Sequence, residues 1–325
     1  MAGGKERILR RRIRSVQSTK KITRAMELIA ATRVMSAQQR ATAARPYAEQ
    51  ITEVIQHLAA AGASLDHPLL RPSAEVRTIA YVVIASDRGL AGAYNSSVIR
   101  AAEREILDQR ADGVDYRLVL IGKKAQSYFS FRNYRIHATF QDISDAPTYE
   151  DARGVAETVS ELFLSGAVDE VQVVYTRFLS VGTQRVTVRR FMPLEGAAIG
   201  TAARSDTAAA DYEFEPEPVA ILERLLPRYV EARLFAALLD SSASEHAARQ
   251  RAMKSATDNA QELITKLTRV MNRARQDSIT TEIMEIVGGA EALAQGEGDA
   301  EDLLVDRIGS PDFFGHMHQP HADHR

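Results

Sequence analysis

Apolar side chains in the first sixty residues recur at steps of three and four: Leu9, Ile13 and Val16, then Ile22, Met26 and Ile29. Held to one face, that spacing predicts a helix with the seam of a left-handed coiled coil. Near the other end Leu263, Leu267, Val270 and Ala274 repeat it, and after a slip so do Ile279, Ile283, Ile286 and Ala290. Neither stretch is punctuated. No glycine lies between Gly4 and Gly62, where Pro46 is the one proline, or between Gly200 and Gly288, where Pro227 is the last. Unbroken, each stretch could run to about 85–90 Å at 1.5 Å per residue. The mean helix of a compact domain has only about 11–12 residues. Each long helix therefore needs another helix or a partner's groove, and two seams at opposite chain ends can meet antiparallel. Ala25, Ala30, Ala31, Ala41 and Ala43 make the first helix slim.

The middle changes period. Strand-like runs occupy 78–85, 116–121, 171–179 and 184–192, and 96–109, 123–131 and 149–164 have helical spacing. Strands alternating with helices imply a mainly parallel sheet with right-handed crossovers. The last two runs are close enough to form a hairpin at an antiparallel edge. The expected fold class is α/β plus long α: an antiparallel coiled coil from the N- and C-terminal helices, with a Rossmann-like mainly parallel α/β domain between them. The expected boundaries are a helix over 1–62, the α/β domain over 75–200, a flexible loop over 201–215 and a second helix over 216–293. The tail 294–325, acidic and then His-bearing, is expected to be disordered.

Charge adds an asymmetry that the net value of −2 conceals. Residues 1–40 carry 11 Lys and Arg against Glu6 and Glu27, whereas residues 277–306 carry nine acids and no base. The two ends are expected to meet different surfaces. There is no cysteine, which excludes disulfides, thiolate metal sites and cysteine nucleophiles. No 18-residue apolar run appears, and no apolar core follows the basic N-terminus, so neither a membrane span nor a secretory signal is expected.

The candidate chemistry is concentrated in ASDRGLAGAYNSS, residues 85–97, where a strand, a glycine turn and a helix succeed one another as in a phosphate-binding loop. The details break the code. Gly89 and Gly92 are present, but Ala91 and Asn95 stand where further glycines belong, and Asp87 would repel a phosphate. No acid closes the second strand, which ends at Ile121-Gly122-Lys123. Gly122-Lys123-Lys124 resembles the end of a P-loop but lacks its first glycine and its metal-binding hydroxyl. His57, His67, His137 and His246 have no metal-ligand spacing, and His316, His318, His321 and His324 fall in the tail. No nucleophile elbow or dyad is found, so no active site is expected. The basic N-terminal helix carries its charge all round and has no aromatic residue before Tyr47. That disfavours a nucleic-acid or membrane-surface helix and favours an acidic protein that surrounds it. A nucleotide-dependent enzyme with coiled-coil arms and a basic nucleic-acid binder remain the alternatives.

Three long motifs together carry a resemblance. RIRSVQSTKKITRAMELIAATRVMSAQ, SDRGLAGAYN and RAMKSATDNAQELITKLTRVMNRARQDSITTEIMEIVGGAEAL resemble the first helix, the loop after the first strand and the last helix of the γ subunit of rotary proton-translocating ATP synthases. Their order and spacing match over about residues 1–293; the tail and the alanine-rich loop depart. The resemblance implies a central shaft inside a ring of α and β subunits, with a foot resting with the ε subunit on the c-ring. It implies a peripheral place on the cytoplasmic face of a bacterial membrane, with no direct membrane insertion and no nucleic acid partner. It implies no cofactor on this chain, with Mg-ATP, ADP and phosphate held by partner subunits. Residues implied to contact β are Met26, Lys20, Lys21 and Arg24 on the first helix, Asp87 and Arg88 in the turn, and Arg275 and Gln276 on the last helix.

Overall fold

A computed structural model describes residues 2–60, 67–71, 73, 75–194 and 217–308. The loop 201–215 and the four tail histidines lie outside the described residues. Helix α1 spans Ala2–Ala60 and the last helix, α5, spans Pro218–Ile308. Between them run β1 (Thr78–Ile84), α2 (Tyr94–Ala111), β2 (Asp115–Ile121), α3 (Lys123–Phe131), β3 (Ile136–Phe140), α4 (Tyr149–Leu164), β4 (Glu170–Phe178) and β5 (Gln184–Met192). The chain divides into two compact units, residues 20–258 and a second made of 1–19 with the residues after 258.

In the larger unit the strands form one sheet in the order β3-β2-β1-β4-β5. All neighbours are parallel except β4 and β5, which pair antiparallel through a tight turn closed by Ser180 and Thr183. The central strand β1, TIAYVVI, is buried on both faces, which is why it reads as a continuous apolar run rather than an alternating one. On one face Tyr81, Val83, Leu118 and Leu120 pack with Val98 and Ala102 of α2 and with Phe129 of α3. On the other, Val82, Ile84 and Val119 pack with Val155 and Val159 of α4, Ile51, Ile55 and Leu58 of α1, and Leu226, Leu234 and Leu238 of α5. The ends of both long helices are thus part of the domain's core. Thr148 caps α4 reciprocally with Asp151, fixing where that helix begins.

The paired helices follow a different phase from the expected one. In the larger unit the buried positions of α1 are Thr23, Glu27, Ala30, Val34 and Ala37, then Ile51, Ile55 and Leu58. Ile22 and Ile29, expected in the seam, are 60% and 59% exposed. Continuing the three-four steps from Val16 leads to Lys20, Thr23 and Glu27, so polar residues occupy the seam and the bulky isoleucines lie outside it. Across the pair Thr23 and Thr257 share a buried hydrogen bond of 2.8 Å. Higher-numbered α1 residues instead share the core with lower-numbered α5 residues, so the pairing is antiparallel, as expected. In the second unit Ile13, Ala260, Leu267 and Ser278 are buried, with Ile264, Met271 and Ala274 half-buried between them. Leu267 and Ala274 keep their expected places. Leu263 and Val270 are on the exposed side, and so are Ile279, Ile283, Ile286 and Ala290.

The strand β3 was not among the expected elements. Its sequence IHATF alternates half-buried and exposed positions at the sheet edge, too weak a pattern to stand out. Helix α5 runs to Ile308, through the first part of the segment read as a disordered tail. No described helix is long and apolar enough to cross a membrane.

Candidate functional site

The turn after β1 is built from polar groups that satisfy one another. Buried Ser86 donates its backbone N–H to Asn95 Oδ1 at 2.9 Å, and its hydroxyl lies within hydrogen-bonding reach of both that oxygen and the Arg88 carbonyl. Asp87 is turned inward. Its carboxylate accepts the backbone N–H of Lys123 at 3.1 Å and of Ser144 at 3.2 Å. Burial pushes this carboxyl up, but the backbone hydrogen bonds from Asp142, Ser144 and Lys123 outweigh it and hold Asp87 below the ordinary carboxylate range. The start of α3, where an anion would otherwise sit, is taken by the chain's own carboxylate. Gly122, just before it, has φ +90°, and a Cβ there would lie 2.3 Å from the Ala85 carbonyl oxygen. The backbone alone requires glycine there. Arg88 is exposed, and beside it Leu90 is held at φ +63° and is 62% exposed. Nothing in the residue type of Leu90 signals that the turn will hold it out.

On α1, Lys20 and Met26 are half-buried and Lys21 is exposed. Arg24 places one guanidinium nitrogen 2.9 Å from each oxygen of Glu27. Glu27 is only 9% exposed, so Arg24 supplies the countercharge that makes an acid in the seam tolerable. Met26 shares a face with Ile22 and Ile29, so the spacing first read as a seam is an outward apolar stripe bordered by bases. In the second unit Arg275 and Gln276 are both exposed, beside half-buried Ala274 and buried Ser278. The expected contact residues therefore fall in three places: the outer side of α1, the β1–α2 turn and the outer side of α5.

A buried polar cluster joins the first two of these, and periodicity gave no sign of it. Glu245 and Arg249 of α5 pair at 2.7 Å with side chains 1% and 10% exposed. Arg249 also reaches the Gly89 carbonyl at 3.4 Å, in the turn itself. His246 Nε2 and Ser242 Oγ both meet the Asp145 carbonyl at 3.1 Å, and the Asp145 carboxylate lies 3.5 Å from Arg33 of α1. Burial raises the Glu245 carboxyl against the pull of Arg249, and burial lowers the His246 imidazole. The cluster fastens α1, α5 and the loop carrying Ser144 and Asp145 to one another. No metal-binding group of His and acids occurs among the described residues.

A model of the ATP synthase family matches residues 5–293. The ATP synthase gamma chain of Kineococcus radiotolerans is 50% identical over 296 residues, covering 90% of this chain and 97% of that one. The gamma chain of Frankia casuarinae is 50% identical over 297 residues, with 90% and 99% covered. In the solved mitochondrial ATP synthase of Euglena gracilis, an assembly of OSCP, F1 and c-ring, one chain has the same fold with a TM-score of 0.65. It is 20% identical and the match covers 91% of this chain and 96% of that one. The chain belongs to the ATP synthase gamma chain family.

Proposed function

We propose that the chain is the central rotor shaft of a proton-translocating ATP synthase. It couples proton flow through the c-ring to ATP synthesis or hydrolysis at the catalytic β subunits. The observation that carries this reading is the outward face of the helix pair. Ile22, Met26 and Ile29 are left outside a seam filled by Thr23, Glu27 and Ala30, and Lys21 borders them. A helix pair complete in itself would bury its isoleucines and expose its threonines; this pair is arranged for a surrounding protein. The α/β domain serves as a foot toward the ε subunit and the c-ring, and the complex holds the chain peripherally at the cytoplasmic face of the membrane. Nucleotide and phosphate chemistry occurs on partner subunits, and this chain supplies asymmetric contacts that shift their conformational populations as it turns.

Arg275 and Gln276 contact a β loop in this reading, with Met26, Lys20, Lys21, Arg24 and Arg88 forming the other contacts and Asp87 holding the turn that presents Arg88. The test is Arg275→Ala combined with Gln276→Ala in the assembled complex. ATP turnover should fall roughly tenfold, as for the loss of one charge-assisted contact, while the helical circular dichroism of the free chain is unchanged. Full turnover in a complex shown to retain the variant would remove those two contacts.

A further inference from the structure

In an open α/β sheet the ligand crevice lies beyond the carboxyl ends of the strands, where the strand order reverses. Here that place is between β1 and β4: the chain leaves β1 toward β2 on one side and returns to β4 on the other. A cavity of about 380 Å³ lies at this point, lined by residues 91–94, Ser97, Thr176 and residues of β5 and α5 that include Arg251. It belongs wholly to the larger unit.

Three features of the lining agree. Helix α2, 18 residues long, starts at the cavity from Ala93, which offers no capping side chain, and no acid stands in its first turn. No acid of its own first turn faces the positive end of its dipole, and of its first N–H groups that of Tyr94 meets a partner before the helix, the Ala91 carbonyl at 3.2 Å. Thr176 of β4 is 5% exposed and its Oγ1 has no hydrogen-bond partner. Strand alternation puts it on the face of Val174, the side that packs against α2, so the lone hydroxyl is directed to the cavity. A buried hydroxyl without a partner is costly, and such groups are rare. Arg251 brings the third feature. Its guanidinium is fixed at the cavity wall by the Val181 carbonyl at 2.5 Å and by Gln184 Oε1. Among the described lining residues it is the sole charge, with no carboxylate against it.

We propose that this cavity binds a small tetrahedral oxyanion, free inorganic phosphate, between the α2 N-terminus, the Thr176 hydroxyl and the Arg251 guanidinium. The inward Asp87 does not oppose it, because that carboxylate is committed to the start of α3. The site performs no chemistry and is independent of the rotor reading, since the isolated full-length chain suffices to test it.

The experiment is a phosphate titration of that chain at constant ionic strength, followed by calorimetry and by thermal unfolding. Ligand binding to the folded state alone raises stability as RT ln(1 + [L]/Kd). The expected result is saturable binding that chloride does not reproduce, weakened about tenfold by Thr176→Val and more than tenfold by Arg251→Gln. The valine variant is nearly isosteric and removes an unsatisfied group, so it should fold at least as well as the parent without phosphate. If both folded variants respond to phosphate as the parent does, or if the parent shows no saturable response, the proposal fails and the hydroxyl is merely hydrated. ADP provides the last arm. ADP binding tighter than phosphate, in competition with it, would overturn the free-phosphate assignment in favour of a nucleotide's phosphate tail.

Discussion

The Glu245–Arg249 pair permits the sharpest test of how the turn is fastened to α5. Their charged atoms are 2.7 Å apart, and the Glu245 side chain is 1% exposed. At an effective dielectric of about 20, opposite unit charges at that distance attract by about 6 kcal/mol. Desolvation of both groups offsets much of this, so the intact pair is close to neutral against an apolar replacement. Removing one member is different, because it strands the other. Arg249→Met should destabilise the folded chain by about 3–5 kcal/mol, whereas Arg249→Met with Glu245→Gln should recover most of that loss. Urea unfolding of the full-length chain, followed by far-ultraviolet circular dichroism, reads both. With a slope of about 1–3 kcal/mol per molar, the single variant's midpoint should fall by at least 1 M.

The pH dependence gives the same argument a sign. Burial already raises the Glu245 carboxyl in the folded chain, with Arg249 opposing; Tyr94 and Asp145 are the other charged or ionisable groups beside it, and His246 is its neighbour on the helix. Without Arg249 the carboxyl rises further. A carboxyl raised on folding binds more protons in the native state, so its contribution falls as pH rises from the unfolded value, about 4.3, through the folded value. The deficit of Arg249→Met should thus be smaller near pH 5 than near pH 8. A loss below about 1 kcal/mol, or a double variant no better than the single, would refute the account of a buried ion pair.

Three further outcomes are expected. Asp87→Asn should destabilise the chain by about 1–3 kcal/mol, since its backbone donors lose an ionised acceptor. Because the Asp87 carboxyl is lowered on folding, the parent's advantage should be present above the unfolded value and vanish as acid protonates the native carboxylate; an advantage that grew in acid would contradict this. Gly122→Ala should cost several kcal/mol, because φ is +90° and the new Cβ would collide with the Ala85 carbonyl; a melting temperature within a degree or so of the parent's would show that the turn rearranges freely. Thr23→Val together with Thr257→Val should be within about 1 kcal/mol of the parent, because both ends of a buried hydrogen bond are replaced by the same shape. Either single change should be worse than the pair, and additive effects in a double-mutant cycle would argue against that bond.

How much was legible in the sequence depended on whether burial selected bulky apolar side chains. β1, β2, β4 and β5 are found within a residue or so of the expected bounds: covered β1 is apolar through its length, and edge strand β5 keeps β-branched Val186, Thr187 and Val188 between its exposed arginines. β3 escaped because an edge strand can alternate with histidine and threonine. The seam was misphased where α1 buries Thr23, Glu27 and Ala30, since periodicity weights size and hydropathy and finds Ile22 and Ile29 instead. The polar run Ser241–Arg249 is the extreme case: Ser241, Ser242, Ser244, Glu245, His246 and Arg249 read as a solvated helix face, yet all are buried. Ser242 and His246 meet the Asp145 carbonyl, Ser244 the Thr176 carbonyl of β4, and Arg249 both Glu245 and the Gly89 carbonyl; such long-range pairing leaves no local trace. In the turn itself the structure adds what the residue types alone do not give. Asp87 rejects a phosphate at the start of α3 by occupying the place with its own carboxylate.

The misphased seam bears directly on the proposed rotation. Fully burying an isoleucine is worth about 1.5–3 kcal/mol. Ile22 and Ile29, more than half exposed, each leave about half of that available to a surrounding surface. Spread one turn or more apart along α1, such groups give a few kcal/mol of contact in any one orientation. That matches the 1–3 kcal/mol over which conformational couplings usually operate, and it can be made and broken at each step. Had these side chains filled the seam, the helix pair would be tighter and its surface blank. Had larger apolar groups lined the outside, one orientation would trap the shaft. The polar seam and the sparse outer stripe are two consequences of one choice: the shaft gives up some of its own packing to keep a graded, reversible grip on its sleeve.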